Sequence, residues 1–417
     1  MKDIEYQYKP PRQLSMRIFR YKEFKKSIDI LSIANAIFEL EKEIKKKVKI
    51  DKVLIERFVN NHKCKLAKVL SEIVSYVLLE SVEFGFYASN KKLIKTKTNN
   101  HYTIPKKPRV AVLFSGGVDS LSGIYWAKKK YSPEFIIEGI FCAHADQARI
   151  IHIVNNISNQ LLSRGKIKLT TIHVPPITKN GYAQLRGFLY ILSAGAWMEI
   201  INSNTLVISE CGPTMYQPRF GPFDIVTMTT HPIVIEAAQA VLELLLSRKI
   251  HIITPFENMT KAEVIGLSPF KNSLKKTHSC VTQRFGKHDG TCYGCIIRRL
   301  GAITAGVEDT EYINNPISDE RANKENLVSV LLFSQDILLN YEGLSLYEVE
   351  NIESYNKKEL FTRFALDNFA AIHVLIQKGI PVVKNVERIY RDCVEKIGSD
   401  TLDERIETVR KKIYLTN

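Results

Sequence analysis

The segment Ser115-Gly116-Gly117-Val118-Asp119-Ser120 combines residue types that bind an anion at the start of a helix. It follows an apolar run at 110–114 and precedes a segment compatible with a helix at 121–128. Glycines let the backbone approach an anion closely, and the N–H groups of the turn and the helix N-terminus point toward it. We therefore predict a phosphate-binding loop, with a serine–glycine turn that binds nothing as the alternative. Asp119 suits a bridging Mg²⁺ or a substrate amine or hydroxyl.

Three of the seven cysteines fall close together, at Cys280, Cys292 and Cys295. A C-x-x-C pair in a glycine-containing turn supplies two thiolates from one tight loop, which is half of a tetrahedral zinc site. Cys280 would supply the third thiolate. The spacing predicts a structural Zn²⁺ site, with three unrelated thiols as the alternative.

The fourth zinc ligand is not a cysteine, because none lies nearby. His288 is the predicted ligand, since three cysteines and one histidine form a standard structural set. Asp289 and His278 are the alternatives.

The two motifs together resemble those of the 7-cyano-7-deazaguanine synthase family, QueC, whose loop is that of the PP-loop ATP pyrophosphatases. The family pairs SGGxDS with a later motif of the form C…C-G-x-C-x-x-C-x-x-R. Residues 289–298 fit that frame, except that Asp289 stands where the family has its second cysteine. Shorter similarities lie between the motifs, so the resemblance covers residues 109–310, about half of the chain.

The resemblance implies that the loop holds the β,γ-pyrophosphate of ATP while a carboxylate attacks the α-phosphorus. The implied ATP-binding residues are Leu113, Phe114, Ser115, Gly116, Gly117, Val118, Asp119, Ser120, Leu121, Ser122 and Gly123. The implied catalytic residues are Asp119, Lys261, Gln147 and Arg186. Three of these residues have a plainer interpretation. Lys261 would be a surface lysine beside a helix cap, Gln147 an exposed residue at a helix N-terminus, and Arg186 a member of a structural salt bridge. The implied cofactors are ATP, Mg²⁺ and Zn²⁺.

The apolar patterns predict an α/β fold with a doubly wound parallel sheet, the PP-loop (adenine nucleotide alpha hydrolase-like) core. Strands are predicted at 110–114, 136–142, 168–174, 205–209 and 250–253. Helices are predicted at 119–130, 147–163, 183–202, 232–248 and 261–266. Thr260 and Glu263 form a capping box that places Lys261 in the first turn of a helix. The predicted domains are a basic α+β domain at 1–108, the QueC-like core with its zinc motif at 109–317, and a helical domain at 318–417.

The charge of this 417-residue chain is uneven, because residues 1–110 hold 25 Lys and Arg against 12 Asp and Glu. A basic segment suggests an acidic partner. Nucleic acid is not favoured, because the segment is poor in interleaved arginine and aromatic residues and has no recognised DNA-binding motif. A solvated helix face is the simpler interpretation. The odd number of clustered cysteines and the lack of a long apolar run or signal peptide predict a cytoplasmic protein without a membrane contact.

The segments before and after the core distinguish this chain from ordinary family members. It resembles the enlarged QueC-like proteins of bacterial antiphage defence operons, including Qat and one CBASS class. The resemblance implies an ATP-dependent ligase or synthase that adenylates a carboxylate, 7-carboxy-7-deazaguanine, and forms an amide or nitrile, with conjugation to an operon-encoded protein partner. A homodimer is also expected as a possible assembly. The alternatives are a tRNA-modifying PP-loop enzyme (thiolation or amidation), a plain synthase with extra domains, and a non-catalytic scaffold.

Overall fold

A computed structural model describes most of the chain. The described residues are 3–6, 25–59, 61–89, 107–144, 167–174, 184–216, 220, 228–267, 271–280, 287–344, 352–354 and 356–414. The predicted helix at 147–163 lies outside the described residues, and so does Gln147.

The N-terminal segment contains a parallel three-stranded sheet in which strands and helices alternate. Its elements are β1 (Asp3–Tyr6), α1 (Lys25–Lys45), β2 (Lys52–Arg57), α2 (Lys63–Leu78) and β3 (Glu83–Ala88). The strand order is β1-β2-β3, and both pairings are parallel. Parallel neighbours need a crossover rather than a hairpin. The expected α+β class is therefore corrected here to α/β.

The central segment contains the predicted parallel sheet, which is confirmed. Its strands are β4 (Arg109–Leu113), β5 (Ile136–His144), β6 (Ile167–Val174), β7 (Thr205–Val207) and β8 (His251–Ile253). Its helices are α3 (Val118–Tyr131), α4 (Arg186–Ile201), α5 (Gly212–Tyr216), α6 (Pro232–Leu246), α7 (Lys261–Leu267) and α8 (Tyr293–Ala305), with a 3₁₀ turn at Lys271–Lys276.

The strand order of this sheet is β6-β5-β4-β7-β8, and every pairing is parallel. The chain moves from β4 to β5 and β6 on one side and returns to β7 and β8 on the other. The carboxyl ends of β4 and β7 thus flank the point where the strand order reverses. Open α/β sheets bind ligands in the crevice at such a point.

The described residues of the C-terminal segment form helices joined by turns and short irregular stretches. Its helices are α9 (Glu325–Leu339), α10 (Lys358–Gln377), α11 (Lys384–Ile397) and α12 (Ser399–Tyr414), with a 3₁₀ turn at Tyr341–Gly343. None of the helices described anywhere in the chain combines the length and the apolar character needed to cross a membrane.

One hydrophobic cluster runs through all three segments. It contains Ile33 of α1, Leu192 of α4 and Phe361 of α10, each of which is fully buried. Side chains in one contiguous cluster stabilise one another across the segments that carry them. The three segments share this core, and their division into three domains stays a prediction.

Candidate active site and metal centre

The residues after β4 form a tight loop whose polar groups are linked to one another. Gly116 adopts a left-handed backbone conformation (φ of 80°), which glycine reaches without strain. The hydroxyl of Ser120 donates to the carbonyl oxygen of Gly117 (3.0 Å), and the hydroxyl of Ser115 donates to that of Ser120 (3.2 Å). Gly117 precedes α3 and has no side chain with which to cap it. The first amides of α3 therefore remain available to an anion.

Asp119 and Lys261 form an ion pair in the crevice. Asp119 lies in the first turn of α3, and Lys261 is the first residue of α7, which follows β8. Burial lowers the pKa of Lys261, but the negative charge of Asp119, together with that of Glu210, outweighs this effect and holds the pKa above its ordinary value. The Lys261 ammonium therefore stays charged at neutral pH.

The second carboxylate oxygen of Asp119, Oδ1, is buried and has no hydrogen-bond partner among the described residues. A buried carboxylate oxygen without a partner is costly unless a ligand satisfies it. Carboxylate oxygen is also the donor that Mg²⁺ prefers. Asp119 therefore fits the predicted Mg²⁺, with Oδ1 as the atom that would bind it.

Glu210 is a member of the site that the sequence analysis missed. It lies three residues after β7, and burial together with the charge of Asp119 raises its pKa to about 7, against the opposing charges of Lys261 and Arg186. These charges place Glu210, Asp119, Lys261 and Arg186 in one electrostatic cluster. Its position at the carboxyl end of a central strand is the signal that would have found it.

Part of the predicted ATP-binding stretch packs inside the protein. Leu121 belongs to a buried cluster with Val112 of β4. A Cβ atom on Gly123 would lie 1.7 Å from the hydroxyl oxygen of Ser209, so glycine lets α3 approach the end of β7. These two residues position α3, while Ser115, Gly116 and Gly117 form the turn that precedes it.

A cluster of four possible metal ligands forms beside this loop. Cys280, Asp289, Cys292 and Cys295 are all buried, and their ligand atoms lie within 4.8 Å of one another. The sulfur atoms of Cys280 and Cys292 are 4.0 Å apart. Three thiols and one carboxylate fit Zn²⁺, which takes sulfur and oxygen ligands in tetrahedral geometry. These are the residues that would hold it.

His288, the predicted fourth ligand, lies outside this cluster, and Asp289, one of the alternatives, lies inside it. Which residue would bind the metal stays a prediction. The Nε2 atom of His288 instead accepts a hydrogen bond from the amide of Ser279 (3.0 Å). Burial and the charge of Arg298 lower the pKa of His288 to about 4, so its ring is neutral. Successive side chains of an extended segment point to opposite sides, so only one of these neighbours can face the thiols.

Arg298 joins the metal cluster to the phosphate loop. Its guanidinium is buried, donates to the carbonyl oxygens of Thr277 (3.0 Å) and Leu274 (2.6 Å), and pairs with Asp309 (2.7 Å). These contacts fix the segment 277–280, which carries the first cysteine of the cluster. The same segment contacts the loop directly through His278.

The fold and the loop define an α/β protein with a PP-loop at the switch point of a parallel sheet. The family model described as "Queuosine biosynthesis protein QueC" matches residues 142–306. The 7-cyano-7-deazaguanine synthase of Acinetobacter baylyi is 26% identical over 234 residues, which cover 50% of this chain and 96% of that protein. Those of a Psychrobacter species and of Buchnera aphidicola are 26% and 27% identical over 48% and 46% of this chain, and over 87% and 89% of their own lengths.

This chain is a QueC-like protein that is about twice as long as the relatives it matches. Arg186, Lys261 and the cysteine motif lie inside the family match. The segments at 1–108 and 318–417 lie outside it, and so does the stretch 109–141 with the phosphate loop.

Proposed function

We propose that this chain is an ATP-dependent enzyme that adenylates a carboxylate, 7-carboxy-7-deazaguanine, with release of pyrophosphate. The observation that carries the proposal is the buried Asp119–Lys261 pair at the end of the phosphate loop, with Arg186 and Glu210 around it. An anion-binding loop, two cations and an unsatisfied carboxylate oxygen converge at one crevice. That set suits a reaction between two anionic substrates.

The residues of the crevice have distinct roles in this reaction. The loop amides and Lys261 neutralise the pyrophosphate, and Arg186 holds the carboxylate of the second substrate with its two-pronged guanidinium. Asp119 would hold Mg²⁺, which supplies further neutralisation of the phosphate charge. A carboxylate oxygen attacks the α-phosphorus, the bond to pyrophosphate breaks, and an acyl-adenylate remains. Alignment and charge neutralisation are what such a step requires from a protein.

The acyl-adenylate then reacts with a nitrogen nucleophile. The amine nitrogen bonds to the acyl carbon, AMP leaves, and the nitrogen loses a proton, which yields an amide. Ammonia as the nucleophile leads toward the nitrile that the relatives' name describes. An amine of an operon-encoded protein leads to a conjugate, and we propose this outcome, in antiviral defence, for the enlarged chain. The support is that relatives of about half the length match the chain almost throughout their own length.

Transfer of sulfur to tRNA is the second candidate, and the thiols near the strand ends argue against it. Burial raises the pKa of Cys142 to about 12 and that of Cys211 to about 11. A sulfur carrier needs an accessible thiolate, and neither thiol forms one at neutral pH. Cys142→Ser and Cys211→Ser, made separately, should each leave pyrophosphate release within about threefold of the parent protein. Loss of turnover in either single variant would favour thiolation.

The proposed function is tested with the purified chain, ATP, Mg²⁺ and 7-carboxy-7-deazaguanine. We expect carboxylate-dependent exchange between ATP and labelled pyrophosphate, together with AMP formation. ADP and orthophosphate as primary products would overturn the assignment. Intact-mass measurement of proteins encoded beside the gene, incubated in the same mixture, separates conjugation from nitrile formation. An unmodified partner beside free cyano-deazaguanine would identify a plain synthase.

A further inference from the structure

The N-terminus of α7, which presents Lys261, is held by a capping box. The carboxylate of Glu263 accepts from the amide of Thr260 (3.0 Å), and the hydroxyl of Thr260 accepts from the amide of Glu263 (3.3 Å). This is the arrangement predicted from the sequence. Such a box satisfies two amides that the helix itself cannot pair. Both side chains of the box have further partners, and these come from the C-terminal segment.

Asp367 of α10 and Arg405 of α12 complete a buried network around the capping box. The hydroxyl of Thr260 donates to Asp367. Arg405 donates to both carboxylate oxygens of Asp367 (2.7 and 3.2 Å) and to Glu263 (3.1 Å). All four side chains are buried. Buried networks of this kind fix one geometry when every member is satisfied and lose it when one is removed.

The same C-terminal segment packs behind the catalytic ion pair. Val409 of α12 lies in a buried cluster with Val118 and Ala262. Val118 precedes Asp119 in the chain, and Ala262 follows Lys261. The backbone on both sides of the ion pair is therefore supported by a helix from outside the family match.

The N-terminal segment makes a matching contact with the helix that presents Arg186. Glu41 of α1 is buried and accepts hydrogen bonds from the amides of Gln184 (2.5 Å) and Leu185 (3.1 Å). Arg186 is the next residue and the first of α4. A carboxylate at this position satisfies amides at the start of the helix, and its negative charge interacts favourably with the positive N-terminal end of the helix dipole.

We infer that the segments at 1–108 and 318–417, both outside the family match, are positioning parts of the catalytic crevice. The Asp367–Arg405 pair positions Lys261, and Glu41 positions Arg186. The inference rests on the proposed function for its kinetic readout. A catalytic cation must be held to within roughly half an ångström of its productive position. The residues that pack and hydrogen-bond around the cation determine whether this precision is reached. Arg186 and Lys261 lie inside the matched region, whereas their supports lie outside it.

The first experiment compares Asp367→Asn and Arg405→Lys with Arg391→Gln, a control that removes the exposed pair with Glu387 in the same segment. The kcat for pyrophosphate release should fall about tenfold or more in Asp367→Asn and Arg405→Lys. The KM for ATP should stay within about threefold of that of the parent protein. Arg405→Lys keeps the charge and should retain more activity than Arg405→Gln. The control should match the parent protein.

A second readout does not depend on activity. Labelling of lysines by an amine-reactive reagent, followed by peptide mass spectrometry, reports how exposed and how strongly paired Lys261 is. Lys261 should react faster in Asp367→Asn than in the parent, while exposed Lys129 reacts equally in both. Unchanged labelling with unchanged kcat would overturn the inference. A parent protein that releases no pyrophosphate would overturn the proposed function, and the labelling would still decide the positioning role.

The N-terminal contact is tested with Glu41→Gln, which keeps the side-chain size but leaves one acceptor for two amides. Its control is Glu43→Gln on the more exposed side of the same helix. Because Arg186 is assigned to the carboxylate substrate, KM for that substrate should rise about tenfold while KM for ATP stays within about threefold. An equal change in the two KM values, or no change in either, would show that Glu41 supports only the fold.

Discussion

The amide of His278 donates a hydrogen bond to the carbonyl oxygen of Gly116 (2.9 Å). His278 lies two residues before Cys280, and Gly116 is the left-handed residue of the phosphate loop. The metal cluster is therefore one short segment away from the loop. A metal that holds Cys280 in place also supports the backbone on which ATP is proposed to bind.

We expect Asp119→Ala and Ser115→Ala to reduce turnover at least tenfold, about 1.4 kcal/mol in the activation barrier. Asp119 loses its pairing with Lys261, and Ser115 loses its hydroxyl link to Ser120. Pyrophosphate release under saturating substrates measures the effect. Lys129→Ala, on an exposed position of the same helix, serves as the control and should retain full turnover.

The purified protein should contain one zinc ion per chain, measured by elemental analysis against protein concentration. Asp289→Ala and Cys292→Ser should lose the metal and lower the melting temperature, since structural zinc contributes folding free energy. His288→Ala should keep its zinc, because His288 lies outside the cluster of four ligand atoms. Metal retained in Asp289→Ala but lost from His288→Ala would restore the histidine as the fourth ligand.

Glu210 should make the stability of the protein depend on pH. Its pKa in the folded protein, about 7, lies above its ordinary value of 4.5, so the folded state binds the proton more tightly than the unfolded state. The stabilisation is complete below about pH 4.5 and is lost as pH rises through 7. Glu210→Gln should therefore gain stability relative to the parent between pH 5 and pH 8, on the order of 3 kcal/mol. Denaturant unfolding of the variant and the parent at pH 5 and pH 8 measures this gain. The same difference in the free energy of unfolding at both pH values would contradict the raised pKa of Glu210.

Gly123→Ala should destabilise the protein by roughly 1–3 kcal/mol, because the new methyl group would overlap the side chain of Ser209. The hydroxyl of Ser209 has no hydrogen-bond partner among the described residues, so its removal costs no bond. The double variant Gly123→Ala with Ser209→Gly should recover part of the loss. Thermal unfolding of the single and double variants provides the measurement, and additive losses would show that the two positions do not clash.

The central sheet was predictable because each strand is a short apolar run between helical segments. The loop at 115–120 and the capping box at Thr260 were also predictable, since both depend on residues adjacent in sequence. Glu210 was not, because a lone carboxylate carries no motif and its importance comes from its position after β7. The choice between His288 and Asp289 depended on which side of an extended segment faces the thiols. The contacts of Glu41 and Arg405 join distant segments, which local patterns do not reveal.

The network around Arg405 also determines when the site is complete during synthesis. Asp119 and Lys261 are translated well before Arg405, and elongation at ~5–20 residues per second separates Lys261 from Arg405 by roughly ten seconds. During that interval the nascent chain contains Asp119 and Lys261 but lacks α12, the helix whose Val409 packs against Val118 and Ala262. The proposed catalytic crevice thus gains this support only once α12 has been made, later than the sheet that carries the crevice.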